Sequence, residues 1–517
     1  MLRRRALTAA VTLLLGLGLA TPGADASSPA GAPAIPGLPP LPTVPGLPIP
    51  ASPSDLLMQQ FVGSPATADP VPHRKVPQLP MLSANGTNSM HNDGYASDAY
   101  DVSGPLGNSL QVSSASYGVR ECATMAFDSH GRIVGLCGGL EGFVLMVIDP
   151  VTLQPVSELQ TSQRDLTNGK NPFTDICGGT YFFLDKFDRA YPTTADKQIW
   201  KVAVRADGSL AKEQAWSVAG VVPQDDCLIA TMPDWKGRIW FFTEQGVVGT
   251  LTPRTGKLRT THLPAGERVT NSVSTDETGG MYVVSTHALY RLDAKRRGAQ
   301  RGTPKITWRE VYDRGSRTKP GNLSQGSGTT PTLIGKKWVA INDNADPKTQ
   351  VVIYDRRRAA GPEREHCSIP VLAAGAGTTD NSLVSAGRSL IIENNYGYDG
   401  VPSTLGGRST TPGLASVRIR RSSCKLEWTS HETAPTSVAK ASLGNGLLYA
   451  YTKPPRTDGQ DAWYVTAIDL RSGQTRWSRL TGTGTQWNNH YASIYLGPDG
   501  ALYIATLAGL VRMKDGA

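Results

Sequence analysis

The stretch Trp463-Tyr-Val-Thr-Ala-Ile-Asp469-Leu-Arg-Ser-Gly473-Gln-Thr-Arg-Trp477 decides the fold. A run of β-branched and aromatic residues enters an Asp-x-x-Ser-Gly turn and leaves along a second run, which is the chemistry of an antiparallel hairpin. Weaker copies occur at Val147-Ile148-Asp149-Pro-Val-Thr152, at Leu251-Thr-Pro-Arg-Thr255-Gly256 and at Leu292-Asp293 with Trp308 beyond it. A second hairpin type alternates with these, at Ala126-Phe127-Asp128 through Gly131, at Asp234-Trp-Lys-Gly237 and at Gly497-Pro-Asp499-Gly500. Their glycines accept the positive φ that tight turns demand.

Taken in order, the copies start near Glu121, Asp175, Asp226, Asn271, Thr330, Asp380, Lys440 and His490, at intervals of 45–60 residues. That period fits a four-stranded propeller blade. The reading is an all-β protein, a β-propeller of eight four-stranded blades, with seven as the alternative. The last copy, His490 to Lys514, holds only three strand-like runs. Closure therefore calls for a strand from before the first blade, near Ser109–Ala115, because an open ring exposes sheet edges.

The Ala467-x-Asp469-x-x-Ser472-Gly473-x-x-x-Trp477 pattern resembles the repeat of the quinoprotein-dehydrogenase-like (PQQ-like) β-propeller superfamily. The resemblance implies a propeller over roughly residues 110–517. Quinoprotein alcohol dehydrogenases carry adjacent cysteines beside the cofactor and a regular tryptophan motif. Here there is no Cys-Cys pair and most repeats lack the tryptophan, so PQQ is not expected. Cys-x-x-Cys-His is also absent, which excludes a c-type haem.

The 517 residues include 55 Gly and 37 Pro, against helical architecture, and carry a net charge of +9 spread along the chain. No basic stripe is concentrated on one element, so nucleic acid is not an expected partner. Residues 1–26 read as a signal peptide: Arg3–Arg5, an apolar run from Ala6 to Ala20, and Ala24-Asp25-Ala26. That run is shorter than the ~20 residues a spanning helix needs, and no later segment spans. A secreted protein follows, extracellular or associated with the cell envelope, and monomeric. Residues 27–80 hold fifteen prolines and read as a disordered spacer. Residues 81–108 form an N-terminal extension, and 109–517 the propeller.

Propeller geometry brings blade starts and second-to-third-strand loops to one face. There the sequence places Asp343 and Asn344, Asp380 and Asn381, Glu393, Asn394, Asn395 and Tyr396, and Asn488, Asn489 and Tyr491. Asn and Asp are poor strand residues, so their recurrence suggests a ligand-binding face; the alternative is that they bond their own turns. Asn271, Asp175, Asp226 and Glu121 complete the ring. Amides, carboxylates and the rings of Tyr396, Tyr398, Trp487 and Tyr491 suit a carbohydrate or small polar ligand. Asp343, Asp380 and Glu393 could instead hold Ca²⁺; no other cofactor is expected. His490 with Tyr491 or Lys440 could abstract a proton beside a uronate carboxylate, as a polysaccharide lyase would. No Gly-x-Ser-x-Gly, His-Glu-x-x-His or zinc spacing occurs.

Six cysteines in an exported chain are expected to pair. Cys122 and Cys137 flank one hairpin, Cys177 and Cys227 occupy similar positions in neighbouring blades, and Cys367 and Cys424 fall in the outer parts of consecutive blades. Three functions remain open: a binding scaffold, a polysaccharide lyase or glycoside hydrolase on the same face, and a protein-interaction propeller of the envelope.

Overall fold

The computed structural model describes residues 35–164, 175–359 and 363–516. The signal-peptide reading of residues 1–26 falls outside them. Eight sheets follow one another as the blades of a β-propeller. First strands run at Arg120–Phe127, Leu228–Pro233, Ser274–Thr275, Thr332–Ile334, Val384–Ala386, Lys440–Ser442 and Ile494–Leu496, close to the expected starts. Blade 2 departs from the pattern. It has three strands, Arg189–Ala190, Gln198–Val204 and Leu210–Ser217, while its innermost segment joins them by a single bridge between Leu184 and Ala190. Blade 8 closes as expected: Gln111–Ser116 pairs antiparallel with Gly509–Lys514 and supplies the missing outer strand.

An aspartate organises the inner turn in each of blades 1–4. Asp128 Oδ1 accepts from the His130 and Arg132 amides, both at 2.9 Å, and Asp185, Asp234 and Asp276 repeat the arrangement. The fourth turn position has φ of 79° at Gly131, 74° at Gly237 and 89° at Gly279. In blade 2 that position is Asp188, at φ 57°. Fourth-strand tryptophans then tie neighbouring blades. Trp428 Nε1 donates to Leu470 O at 3.0 Å, and its ring lies where a Cβ on Gly473 would fall. Trp477 likewise leaves no room for a side chain at Gly107.

The channel is not empty. Residues 79–102 wind around the inside of the ring, and their carbonyls pair with one blade after another. Leu184 N donates to Asn88 O in blade 2 and Phe127 N to Thr87 O in blade 1. Gly94 O then receives Thr275 N, Tyr95 O receives Leu333 N, Ser97 O receives Ser385 N and Asp98 O receives Ala441 N, from blades 4, 5, 6 and 7. Ala99–Tyr100 finishes as a parallel strand beside Ala441–Ser442. Asn92, Ala96 and Asp98 hold left-handed φ of 57°, 51° and 54°, a conformation that persists only where surroundings impose it.

Charge fixes this segment. Lys440 and Asp98 are fully buried and ion-paired, and Lys440 Nζ also donates to Met90 O at 2.7 Å. Burial pushes the Asp98 carboxyl up, but His91 and Lys440 more than offset this and hold it at about 2. The expectation that Lys440 serves as a catalytic group is therefore corrected: its ammonium is spent inside the molecule.

The spacer reading of residues 27–80 is corrected over the described part. Phe61–Gly63, a proline-free stretch, pairs antiparallel with Trp477–Arg479 on the outer edge of blade 7. Ile49, Met58 and Leu79 are buried. Proline removes donors that an edge position does not need, so proline density did not prevent docking.

All three expected disulfides form: Cys122–Cys137, Cys177–Cys227 and Cys367–Cys424. The first crosslinks facing positions of one hairpin; the others tie blade 2 to blade 3 and blade 5 to blade 6.

Two outcomes follow for unfolding measurements. Lys440→Met alone should destabilise the protein by about 3–5 kcal/mol, since it strands a buried carboxylate, and Lys440→Met with Asp98→Leu should recover part of that loss. Reduction should lower stability most through the bonds closing 50- and 57-residue loops, by about 4 kcal/mol each on chain entropy. Both are read by denaturant titration.

Candidate functional site

Inner strands begin at what is here termed the upper face, and the sequence placed its candidates there. The structure engages most of them in holding the ring. Asp343 Oδ1 accepts from the Ala345 and Gln350 amides, and Asn344 Nδ2 donates to Arg314 O and Arg317 O. Asp380 accepts from Asn322 Nδ2 and Leu323 N, both at 2.6 Å. Glu393 bridges Asn381 Nδ2 and Ala439 N. Asn394 accepts from Thr378 N, Asn395 from Asp380 N, and Asn395 Nδ2 crosses to Pro435 O. Asn488 donates to Thr404 Oγ1, and Asn489 to Ala492 O and Ala505 O. Tyr396 meets Arg317 at 3.5 Å. These amides and carboxylates satisfy backbone groups that strand ends leave unpaired. They hold the ring together, and none of them lines either of the two cavities described below.

A cavity of about 120 Å³ remains at this face, over blades 1, 2 and 8. His490 and Tyr491 line it, with Glu121 and Asp175 from the wider ring. The His490 amide donates to Glu121 Oε1 at 2.9 Å. His490 Nδ1 lies 3.1 Å from Tyr398 Oη, and the Tyr398 and Tyr491 rings meet edge-on at 5.6 Å. Tyr491 holds φ 61° and donates to Gly321 O at 3.0 Å. Both its backbone and its hydroxyl are thus fixed.

Phe143, Arg164 and Tyr181 also line this cavity and were not read from the sequence. The Arg164 guanidinium stacks over Phe143 at 4.9 Å and donates to Gly139 O and Asp175 O. Arg164 and Tyr181 come from the irregular blade 1–2 connection, where no repeat marks a position, and Phe143 from the third strand of blade 1. Burial lifts the Glu121 carboxyl to about 8, against the hydrogen bond from His490. Glu121 is therefore largely protonated at neutral pH and can donate as well as accept. Its Oε2 has no protein hydrogen-bond partner among the described residues.

The carboxylates offered for Ca²⁺, Asp343, Asp380 and Glu393, have separate partners and do not converge. Among the described residues, the one group of three metal-binding side chains is Cys177, Cys227 and Glu244, and its two cysteines are joined in a disulfide. A larger cavity, about 330 Å³, opens at the opposite end between residues 73–102 and the inner turns of blades 5, 6 and 8. Asp93 lines it, its carboxyl lifted by burial to about 7. No residue proposed from the sequence does.

Five buried carboxyls are raised chiefly by burial: Glu121 and Glu393 to about 8, Asp93 and Asp343 to about 7, and Asp380 to about 6. Over this range the native state binds more protons than the unfolded chain, so stability falls as pH rises. Asp98 has the opposite effect in acid, below its ordinary carboxylate range. The urea midpoint should be highest near about pH 5 and decline toward pH 8, and Glu393→Gln should flatten that decline.

No protein-family model matches the chain. An uncharacterized protein of Archaeoglobus fulgidus is 25% identical over 372 residues, covering 64% of this chain and 68% of that protein. A virginiamycin B lyase of Staphylococcus aureus, solved as an inactive variant with quinupristin, aligns over 78% of this chain and 98% of its own at 9% identity, with a TM-score of 0.42. The Cps50 (Swd1) β-propeller domain of Myceliophteria thermophila aligns over 77% and 97% at 10% identity, with a TM-score of 0.38. At these values neither structure bears on what this chain does. The chain is a β-propeller with an uncharacterised archaeal relative.

Proposed function

We propose that this propeller is a secreted, monomeric binding scaffold that takes the terminal ring of an extracellular carbohydrate, or a polar molecule of similar size, at the upper mouth of its channel. The observation that carries the reading is the Glu121 carboxyl, with Oε1 fixed by the His490 amide and Oε2 without a hydrogen-bond partner among the described residues. A protonated acid pairs with a sugar hydroxyl in either sense, while Tyr491, Tyr181 and Phe143 offer rings to its apolar face. The cavity is smaller than the ~300–1,000 Å³ of a site that swallows a whole ligand, which favours a chain end. Three disulfides fit an oxidising compartment, and no helix among the described residues is long and apolar enough to cross a membrane.

The same carboxyl supports a second reading. An acid with a pKa of about 8 that shares a cavity with an imidazole is a competent proton donor, so a lyase or hydrolase is the alternative, with Glu121 in the place the sequence offered to Lys440. The PQQ-like resemblance is kept for blade architecture alone.

An array of plant and microbial polysaccharides tests these readings. The scaffold reading expects retention without product, loss of about tenfold or more in Glu121→Ala, near-full binding in Glu121→Gln, and weakening above about pH 8 as the carboxylate forms. Released unsaturated or reducing ends, lost in Glu121→Gln while binding persists, establish catalysis instead. Retention of no glycan, or indifference to Glu121→Ala, overturns both.

A further inference from the structure

The chain's positive charge, dispersed in sequence, is gathered by the fold onto one face. In blades 3–6 the first-to-second-strand and third-to-fourth-strand turns all end at the lower face, opposite His490. Their described residues are 234–238, 253–256, 276–279, 295–303, 335–337, 356–359, 363–364, 387–388 and 420–423. Together they hold sixteen Lys and Arg against four Asp and Glu, a surplus of twelve where the whole chain has nine. The upper-face connections of the same blades carry six against eight. Charges about 25 residues apart in sequence thus become neighbours on a surface, which is why no basic stripe is visible along the chain.

Some of these cations are structural. Arg238 pairs with Asp234, Arg356 with Asp276, Arg357 with Asp355, Arg358 with Asp293 and Arg364 with Glu310. Eleven others are exposed and have no carboxylate partner among the described residues, including Lys236, Arg254, Arg297, Lys336, Arg388 and Arg421. Unpaired like charges at this density repel one another and raise the local anion concentration.

We propose that this turn face docks an acidic polysaccharide, a linear polymer bearing carboxylate or sulfate groups, along the arc from blade 3 to blade 6. Guanidinium groups match such anions in a bidentate fork. All six cysteines are oxidised, which points to a compartment rich in acidic glycans and poor in nucleic acid. The turns expose no large apolar side chain among the described residues that could enter a bilayer. The proposal concerns the opposite end from Glu121 and does not rest on the ligand proposed there.

The test is retention of the full chain on immobilised polygalacturonate, against neutral dextran, duplex DNA and phosphatidylglycerol vesicles, at about 50 and 300 mM salt. The wild type should bind polygalacturonate at low salt and release at high salt. Arg254→Glu/Arg297→Glu/Arg421→Glu, exposed turn changes that leave the core intact, should bind at least tenfold more weakly while any Glu121-dependent binding is unchanged. Unaltered retention of the triple variant, no retention of the wild type on polygalacturonate, or tighter binding to DNA or vesicles overturns the proposal.

Discussion

A buried ammonium and a buried carboxylate, Lys440 and Asp98, hold the segment that fills the ring. Neither charge is stable alone at that depth, since desolvation would cost several kcal/mol per ion. Paired, they commit residues 79–102 to one path, and that path supplies carbonyl acceptors to the inner strands of blades 4, 5, 6 and 7 in succession. The inner strands are short, two or three residues in blades 4–8, and with few ladder bonds of their own they depend on the segment they enclose. Ring and filling are one cooperative unit.

This arrangement moves function to the two ends. With the channel occupied, the polar strand starts of the upper face do not encircle an open pore. Most are drawn into bonds between blades, and a small cavity survives where blade 2 is irregular. The lower face is different in kind. Its inner aspartates are consumed in turning the chain, while eleven exposed arginines and lysines of blades 3–6 have no carboxylate partner among the described residues.

The sequence made repetition legible. Asp-x-x-Gly and Asp-x-x-Ser-Gly turns are local chemistry, so Asp128, Asp234 and Asp469 locate hairpins without tertiary knowledge. Blade count, closure by residues before blade 1, and all three cystines follow from that periodicity. The filling segment was not legible. Its Asn, Asp, Ser and Gly residues look like any loop, because its order comes from long-range partners: Lys440 and Ser382 on Asp98, and Arg356 on the Tyr95 hydroxyl. For the same reason Asn344, Asn394 and Asn395 looked like ligand groups: a strand-end amide has the same composition whether it binds a ligand or a neighbouring backbone. That His490, Tyr491, Glu121 and Asp175 gather at one face was legible because they recur at blade starts. Arg164 and Tyr181 were missed because they lie where the repeat breaks.

Hydrogen exchange of the amides between Asn92 and Ala99 most directly tests whether this stretch is the core of the ring. If the ring is built around it, those amides exchange only through global unfolding, at rates matching the central strands. Exchange within seconds, at loop rates and with the blades still protected, would show that the propeller stands without its filling and that the channel is open.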